Sequence, residues 1–96
     1  MPYITQDQRK ILDPIVDQFA SRAEYIAFTH GDRSRDGVFN YVVTKLALRL
    51  FDKRGYSQFV RVAGGLEEIK AEYRRRIVAP YEDGKASKNG DVYDLE

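Results

Sequence analysis

Residues 38–53 read VFNYVVTKLALRLFDK, and this stretch carries the strongest fold signal in the chain. Its apolar residues recur at steps of three and four, which is the period of an α-helix. Six of them form one broad stripe suited to a core: Val38, Phe39, Val42, Val43, Leu46 and Leu50. Three more, Tyr41, Leu48 and Phe51, fall outside that stripe, so the helix is apolar on two sides. We therefore expect a second body, either the C-terminal tail or another subunit, to cover this second side.

The segment that precedes this helix predicts another helix. Thr5 and Gln8 have the spacing of a capping box, which indicates a short opening turn over residues 6–12. Asp13 is then the expected N-cap and Pro14 the first residue of a longer amphipathic helix. That helix is expected to end at His30, where the glycine-rich connection begins.

The third helix is expected to begin after Ser57 as its N-cap. Gly64 and Gly65 lie inside it and cost about 1 kcal/mol each relative to alanine, so we predict a kink, a break or a close helix crossing there. Pro80 is expected to start a short helix over residues 80–88 that ends at Asn89 and Gly90. A strand-like segment, DVYDLE, follows, and Tyr81, Tyr93 and Leu95 are the expected anchors of the whole tail.

These elements predict an all-α fold: a compact three- to four-helix bundle with a short C-terminal helix and a docked extended tail. Residues 1–96 are interpreted as a single helical domain, with residues 1–79 as the helical core and 80–96 as the short helix and tail. A domain of 96 residues buries only roughly 65% of its unfolded surface, so self-association is expected to add stability.

Composition excludes several classes of function. Sixteen basic residues are matched by fifteen acidic ones, and this balance argues against a protein that grips duplex nucleic acid through counterion release. The sequence contains no cysteine, no apolar leader and no apolar run long enough for a membrane span, so we expect a cytoplasmic protein.

The sequence also lacks a constellation of catalytic or metal-binding residues. It has one histidine, His30, at the end of a predicted helix, where it complements the helix dipole. A single histidine and no cysteine do not make a zinc site. The acidic pairs at 67–68 and 82–83 are adjacent in helices, so their side chains diverge by about 100°. We expect no enzymatic activity, no metal and no cofactor.

The arginines say more about function than the histidine and the acidic pairs do. Arg33 and Arg35 lie in GDRSRDG, residues 31–37, which we predict to be a loop in which Gly31 and Gly37 take positive φ. A second group, Arg74–Arg76, precedes Pro80 and has Tyr81 nearby as a stacking surface. Guanidinium groups beside helix termini are suited to an anionic ligand, so these six residues are candidate ligand-binding positions. The alternative is that each arginine belongs to a solvated surface.

The chain resembles a family of small uncharacterised proteins from phage and prokaryotic genomes. The resemblance rests on the opening MPYITQD, on Asn40 and Tyr41, and on the pattern RRxVAPYED followed by NGDVY, here residues 75–93. It spans nearly the whole chain, although Gly84, Ala86 and Ser87 depart from it. It implies a phage or mobile-element setting, where small proteins often bind host components.

Three hypotheses of function follow. The first is a non-enzymatic, homo-oligomeric binding protein that engages a host protein, with Tyr41, Leu48, Phe51 and Tyr93 at its interfaces. The second is a sponge that sequesters a small anionic, nucleotide-like signalling ligand through the arginines and Tyr81. The third is a helix-turn-helix regulator built on residues 55–68, which the near-neutral charge and the acidic pair at 67–68 disfavour.

Overall fold

The computed structural model describes residues 2–52 and 54–93. Their helical elements are α1 Gln6–His30, α2 Ser34–Leu50, α3 Tyr56–Tyr73, a π-helical turn Arg74–Val78 and α4 Ala79–Asn89. No strand occurs in these two ranges, and the prediction of an all-α fold is confirmed. The chain divides into two compact units, Pro2–Phe59 and the part from Val60 onward. The assignment of all 96 residues to a single domain stays a prediction.

Helix α1 begins with the predicted capping box. The Gln8 backbone N–H donates to Thr5 Oγ1 at 3.2 Å, and the Thr5 backbone N–H donates to Gln8 Oε1 at 3.1 Å. The predicted restart at Asp13 and Pro14 is wrong, because α1 continues through Pro14 to His30. A proline inside a helix removes one backbone hydrogen bond and costs about 3 kcal/mol. Helix α1 has 25 residues and stays continuous despite this loss.

The connection between α1 and α2 is only three residues long. Gly31 takes the predicted positive φ of 101°, but Gly37 is helical, so the loop prediction for residues 34–37 is wrong. Backbone bonds from Ser34 to Gly31 at 3.1 Å and from Arg35 to Asp32 at 3.0 Å extend the helix backwards into this segment. Ser34 Oγ also donates to the Gly31 carbonyl at 2.6 Å. The predicted end of α2 at Lys53 lies outside the described residues, and α2 ends at Leu50.

The core of the α1–α2 unit is small. Ala27 is the one buried side chain within residues 2–52 and 54–93. Val38, Val42 and Val43 are half-buried, but Phe39 is 71% exposed, so the predicted α2 stripe is only partly a core. Most apolar side chains of the unit remain at its surface.

Helix α3 does not break at Gly64 and Gly65. Both glycines are helical, and a Cβ atom added to either would meet nothing within 4 Å. The prediction of a kink, a break or a close crossing is therefore wrong within this chain. Helix α3 begins at Tyr56, one residue before the expected cap.

The irregularity lies further on, in the π-helical turn before Pro80. The Ala79 backbone N–H donates to the Arg74 carbonyl, five residues back. Pro80 has no N–H to donate, and its ring would clash with the Arg76 carbonyl in a regular α-helix, so a wider turn at this point relieves the conflict. Helix α4 thus follows α3 without a loop, and Tyr56–Asn89 forms what we call the long helical run.

Gly90 ends the long helical run as predicted. It has φ of 95°, and its N–H donates to the Ala86 carbonyl at 2.9 Å. The next residues turn locally, with the Tyr93 N–H donating to Asp91 Oδ1 at 2.8 Å. Tyr81 and Tyr93 are both exposed, so they do not anchor the tail, and Leu95 lies outside the described residues.

Candidate protein-interaction surfaces

An ion-paired clamp joins the two helices of the α1–α2 hairpin. Arg35 donates from Nη1 and Nη2 to the two carboxylate oxygens of Glu24, at 2.6 and 2.9 Å. Its Nε donates to Asp32 Oδ1 at 2.9 Å. Three donors of one guanidinium group are therefore engaged with carboxylates from α1 and from the connection. This fork geometry fixes the position of α2 against α1 near the turn.

Beside the clamp, α1 and α2 enclose an apolar groove of about 490 Å³, which we call the hairpin groove. Its lining residues are Phe19, Arg22, Ala23, Ile26, Ser34, Gly37, Val38, Tyr41 and Val42. Gly37 leaves room in the groove because it has no side chain there. Tyr41 is 62% exposed and Phe19 is 46% exposed, so the groove is open to solvent. Arg22 is the one charged residue in this lining set, and it is exposed.

A second concavity continues the groove along α1. It has a volume of about 280 Å³ and shares Phe19 and Arg22 with the hairpin groove. Ile15 and Gln18 complete its lining. Together the two concavities form an apolar track along α1, and Arg22 lines both of them.

The predicted interface residues occupy different positions. Tyr41 lines the hairpin groove. Leu48, further along α2, is 58% exposed, and Phe51 is half-buried at the C-cap of α2. Tyr93 belongs to the second unit and is exposed. Their role at an interface stays a prediction. Of these four residues, Tyr41 is the one that lines the hairpin groove.

The six candidate ligand-binding residues fall into separate units. Arg33 and Arg35 belong to the first unit, and the group Arg74–Arg76 belongs with Tyr81 to the second. Arg33 precedes α2 and makes no side-chain capping bond. Arg75 donates to Glu72 Oε1, three residues earlier on the same run, with its Nε at 2.9 Å.

Tyr81 also has a neighbour on its own helix. Lys85 Nζ lies 5.7 Å from the centroid of the Tyr81 ring, a cation–π distance. Arg35 and Arg75 already bind carboxylates of this chain, so a small anion would compete with those carboxylates. The ligand-binding prediction for these residues stays a prediction.

Other kinds of site find little support in the described part of the chain. No group of three or more histidine, aspartate or glutamate side chains there is arranged to hold a metal ion. His30 Nδ1 lies 2.7 Å from Thr29 Oγ1 at the end of α1. Residues 55–68, proposed as a helix-turn-helix, contain no turn after Tyr56, because α3 is continuous. Within residues 2–52 and 54–93, no helix has the length and apolarity to cross a membrane.

Sequence reasoning missed the groove, although it identified some of its residues. Phe19 and Ile26 have the spacing of an apolar stripe on α1, a pattern that by itself favours core positions. Arg22 is the sequence feature that could have indicated the groove, because it lies on that stripe, three residues after Phe19 and four before Ile26. A cation within an apolar stripe indicates a solvent-accessible boundary rather than a closed core.

Comparison with known proteins places the chain in a family. No curated protein and no solved structure gives a significant match to this sequence. The profile of one family, described as a domain of unknown function (DUF6899), matches residues 1–92. Because the match spans nearly the whole chain, this protein belongs to that family.

Proposed function

We propose that this protein is a non-enzymatic, homo-oligomeric binding protein that holds an amphipathic helix of a partner protein in its hairpin groove. The observation that supports the proposal most directly is the lining of the groove, which is apolar apart from Arg22 and the hydroxyl groups of Ser34 and Tyr41. A groove between two helices is a common docking site for the apolar face of a third helix.

The lining also specifies the chemistry of the partner. Exposed aromatic side chains at Phe19 and Tyr41 provide contact area for apolar anchors spaced three or four residues apart. Arg22 borders the track, so a carboxylate on the partner helix would pair with it. The expected partner therefore carries an acidic residue beside its apolar stripe.

The setting of this activity follows from the resemblance to small phage proteins. Small phage proteins often bind host components, so a host protein in the cytoplasm is the proposed target. The homo-oligomeric part of the proposal is supported by burial: among the described residues only Ala27 is buried, and one chain leaves most of its apolar side chains uncovered.

A site for a small anionic ligand has less support. Such a ligand would be held between subunits by the candidate arginines and by Tyr81. Two of the guanidinium groups, those of Arg35 and Arg75, already hold carboxylates of the same chain. We therefore favour a protein partner.

Photo-crosslinking from the groove tests the proposal. A photoreactive phenylalanine analogue at Tyr41 is expected to crosslink one discrete bacterial protein through a segment that is an amphipathic helix with an acidic residue. The matched control places the same analogue at Tyr25, which is also exposed on α1 but lies outside the lining set. That control is expected to give no such product.

Charge reversal gives the second arm of this test. Arg22→Glu is expected to lower the crosslinking yield at Tyr41 at least roughly tenfold, since an ion pair would become a like-charge contact. Lys10→Glu makes the same change in charge on α1, outside the groove, and is expected to leave the yield unchanged. Equal yields from Tyr41 and Tyr25, or an Arg22→Glu variant that crosslinks normally, would contradict the proposal.

A further inference from the structure

The long helical run carries an apolar seam, which consists of Val62, Leu66, Ile69, Tyr73 and Ile77. The steps between these residues are four, three, four and four, close to the spacing with which one helix packs along another. The last step crosses into the π-helical turn, which begins at Arg74. Val62 is half-buried, and the other four side chains are exposed. All five residues belong to the second unit.

Within residues 60–93, the described part of this unit, no second helix lies beside the seam. The π-helical turn and α4 continue α3 directly in sequence. An isolated helix in water is marginally stable, and helices in proteins gain most of their stability from packing an apolar face. We therefore expect another helix to pack on the seam and to shield its apolar side chains from water.

We propose that the seam packs against the seam of a second copy of this chain, in antiparallel orientation, with the two-fold axis crossing the seam at the level of Ala71. This inference rests on the homo-oligomeric part of the proposed function and identifies the surface that performs it. In this arrangement Leu66 faces Ile77 of the second copy, and Ile69 faces Tyr73 of the second copy. Each of these contacts, which we call layers, then occurs twice, once on either side of the axis, as two-fold symmetry requires.

The charge pattern along the run selects the antiparallel orientation. Three acidic residues, Glu67, Glu68 and Glu72, precede Ala71 or follow it directly, and the basic group Arg74–Arg76 comes next. An antiparallel pair centred on Ala71 places the acidic segment of each copy beside the basic group of the other. A parallel pair would place Arg74 and Arg76 of both copies, which flank the seam, at one level, and like charges so close together are destabilising.

The apolar area of the seam agrees with a dimer at the lower end of stable interfaces. Ile69 and Tyr73 are each 60% exposed. With Leu66 and Ile77 they offer on the order of 400 Å² of apolar surface per copy, given about 150–250 Å² for a whole aromatic side chain. The aliphatic parts of the flanking arginines and glutamates extend this area toward the roughly 800 Å² per partner of a standard interface.

Sedimentation equilibrium of matched variants tests the surface. Ile69→Glu would place a carboxylate in both central layers and is expected to raise the dimer dissociation constant at least roughly 100-fold. Ala71→Glu adds the same charge two residues away, on the opposite face of the helix, and is expected to change it by less than about threefold. Circular dichroism checks that both variants stay helical.

The outcomes separate this inference from the proposed function. If the wild-type chain is a monomer, both the inference and the homo-oligomeric part of the function are wrong. If the chain self-associates and Ile69→Glu does not weaken the association, the seam is wrong while the homo-oligomer stands. Crosslinking from Tyr41 tests the groove independently of either result.

Spin labels on an otherwise unchanged seam test the orientation without any risk to folding. The sequence contains no cysteine, so Lys88→Cys provides a single labelling position. Lys88 is exposed on α4 and lies 17 residues beyond Ala71. At a rise of 1.5 Å per residue, an antiparallel pair separates the two labels by about 50 Å, whereas a parallel pair keeps them within roughly 25 Å. The shorter distance, or no interchain distance at all, would overturn the proposal.

Discussion

The α1–α2 hairpin and the long helical run differ in what their helices pack against. In the hairpin, Arg35 binds Glu24 across the two helices and Ala27 is buried, so the chain supplies its own packing partner. In the described part of the second unit, the helical elements follow one another along one run, and four of the five seam side chains are exposed. The hairpin therefore presents a formed groove, whereas we propose that a second chain packs on the seam.

The largest expected effect comes from the one buried position of the hairpin. Ala27→Asp would bury a carboxylate at the α1–α2 contact and is expected to lower the free energy of unfolding by about 3 kcal/mol. Ala20→Asp introduces the same residue at an exposed position of α1, and its expected loss is under about 1 kcal/mol, from helix propensity. Urea unfolding at one fixed chain concentration measures both. Equal losses would mean that the hairpin does not pack as described.

Glycine substitutions test the helical conformation and the exposure of the long helical run. Gly64 is helical with open space around it, so Gly64→Ala is expected to raise the free energy of unfolding by about 1 kcal/mol. Gly55 precedes the run with φ of 147°, so Gly55→Ala is expected to lower it by a similar amount. Thermal unfolding followed by circular dichroism gives both signs. A destabilising Gly64→Ala would indicate that a second chain approaches this glycine closely.

The smallest effect is expected at the clamp. Arg35→Ala removes an exposed bidentate ion pair, which is expected to cost about 1 kcal/mol at low salt and less at high salt because the pair is screened. Arg33→Ala removes an equal charge two residues away and is expected to cost close to nothing. Urea unfolding at two salt concentrations distinguishes them. A loss that does not depend on salt would assign the effect to packing instead.

The parts of the fold that sequence predicted well depend on local signals. The capping box at Thr5, the positive φ of Gly31 and the stop at Gly90 each follow from one or two residues, and all three are confirmed. Pro14 misled the prediction, because it was interpreted as a helix start and lies inside α1, whereas Pro80 does lie in the first turn of α4. A proline inside a helix has the same local sequence as one at its beginning, and only the continuation of packing on both sides separates the two cases.

The candidate surfaces depend on long-range contacts and were therefore harder to predict. Tyr41 was identified because it fell outside the apolar stripe of α2, and it does line the groove. Arg22 and Gly37 were missed, since their position in the groove depends on how α1 packs against α2. The seam residues from Leu66 to Ile77 have the spacing of an apolar stripe, but spacing alone does not indicate whether a stripe is packed or exposed.

Both proposed surfaces depend on one claim, that the apolar surfaces left open by a single chain bind other chains. Native mass spectrometry of the wild-type protein at micromolar concentration tests it most directly. We predict a dominant species at twice the chain mass of 11.1 kDa. A strict monomer of 11.1 kDa that retains its helical content would contradict the claim.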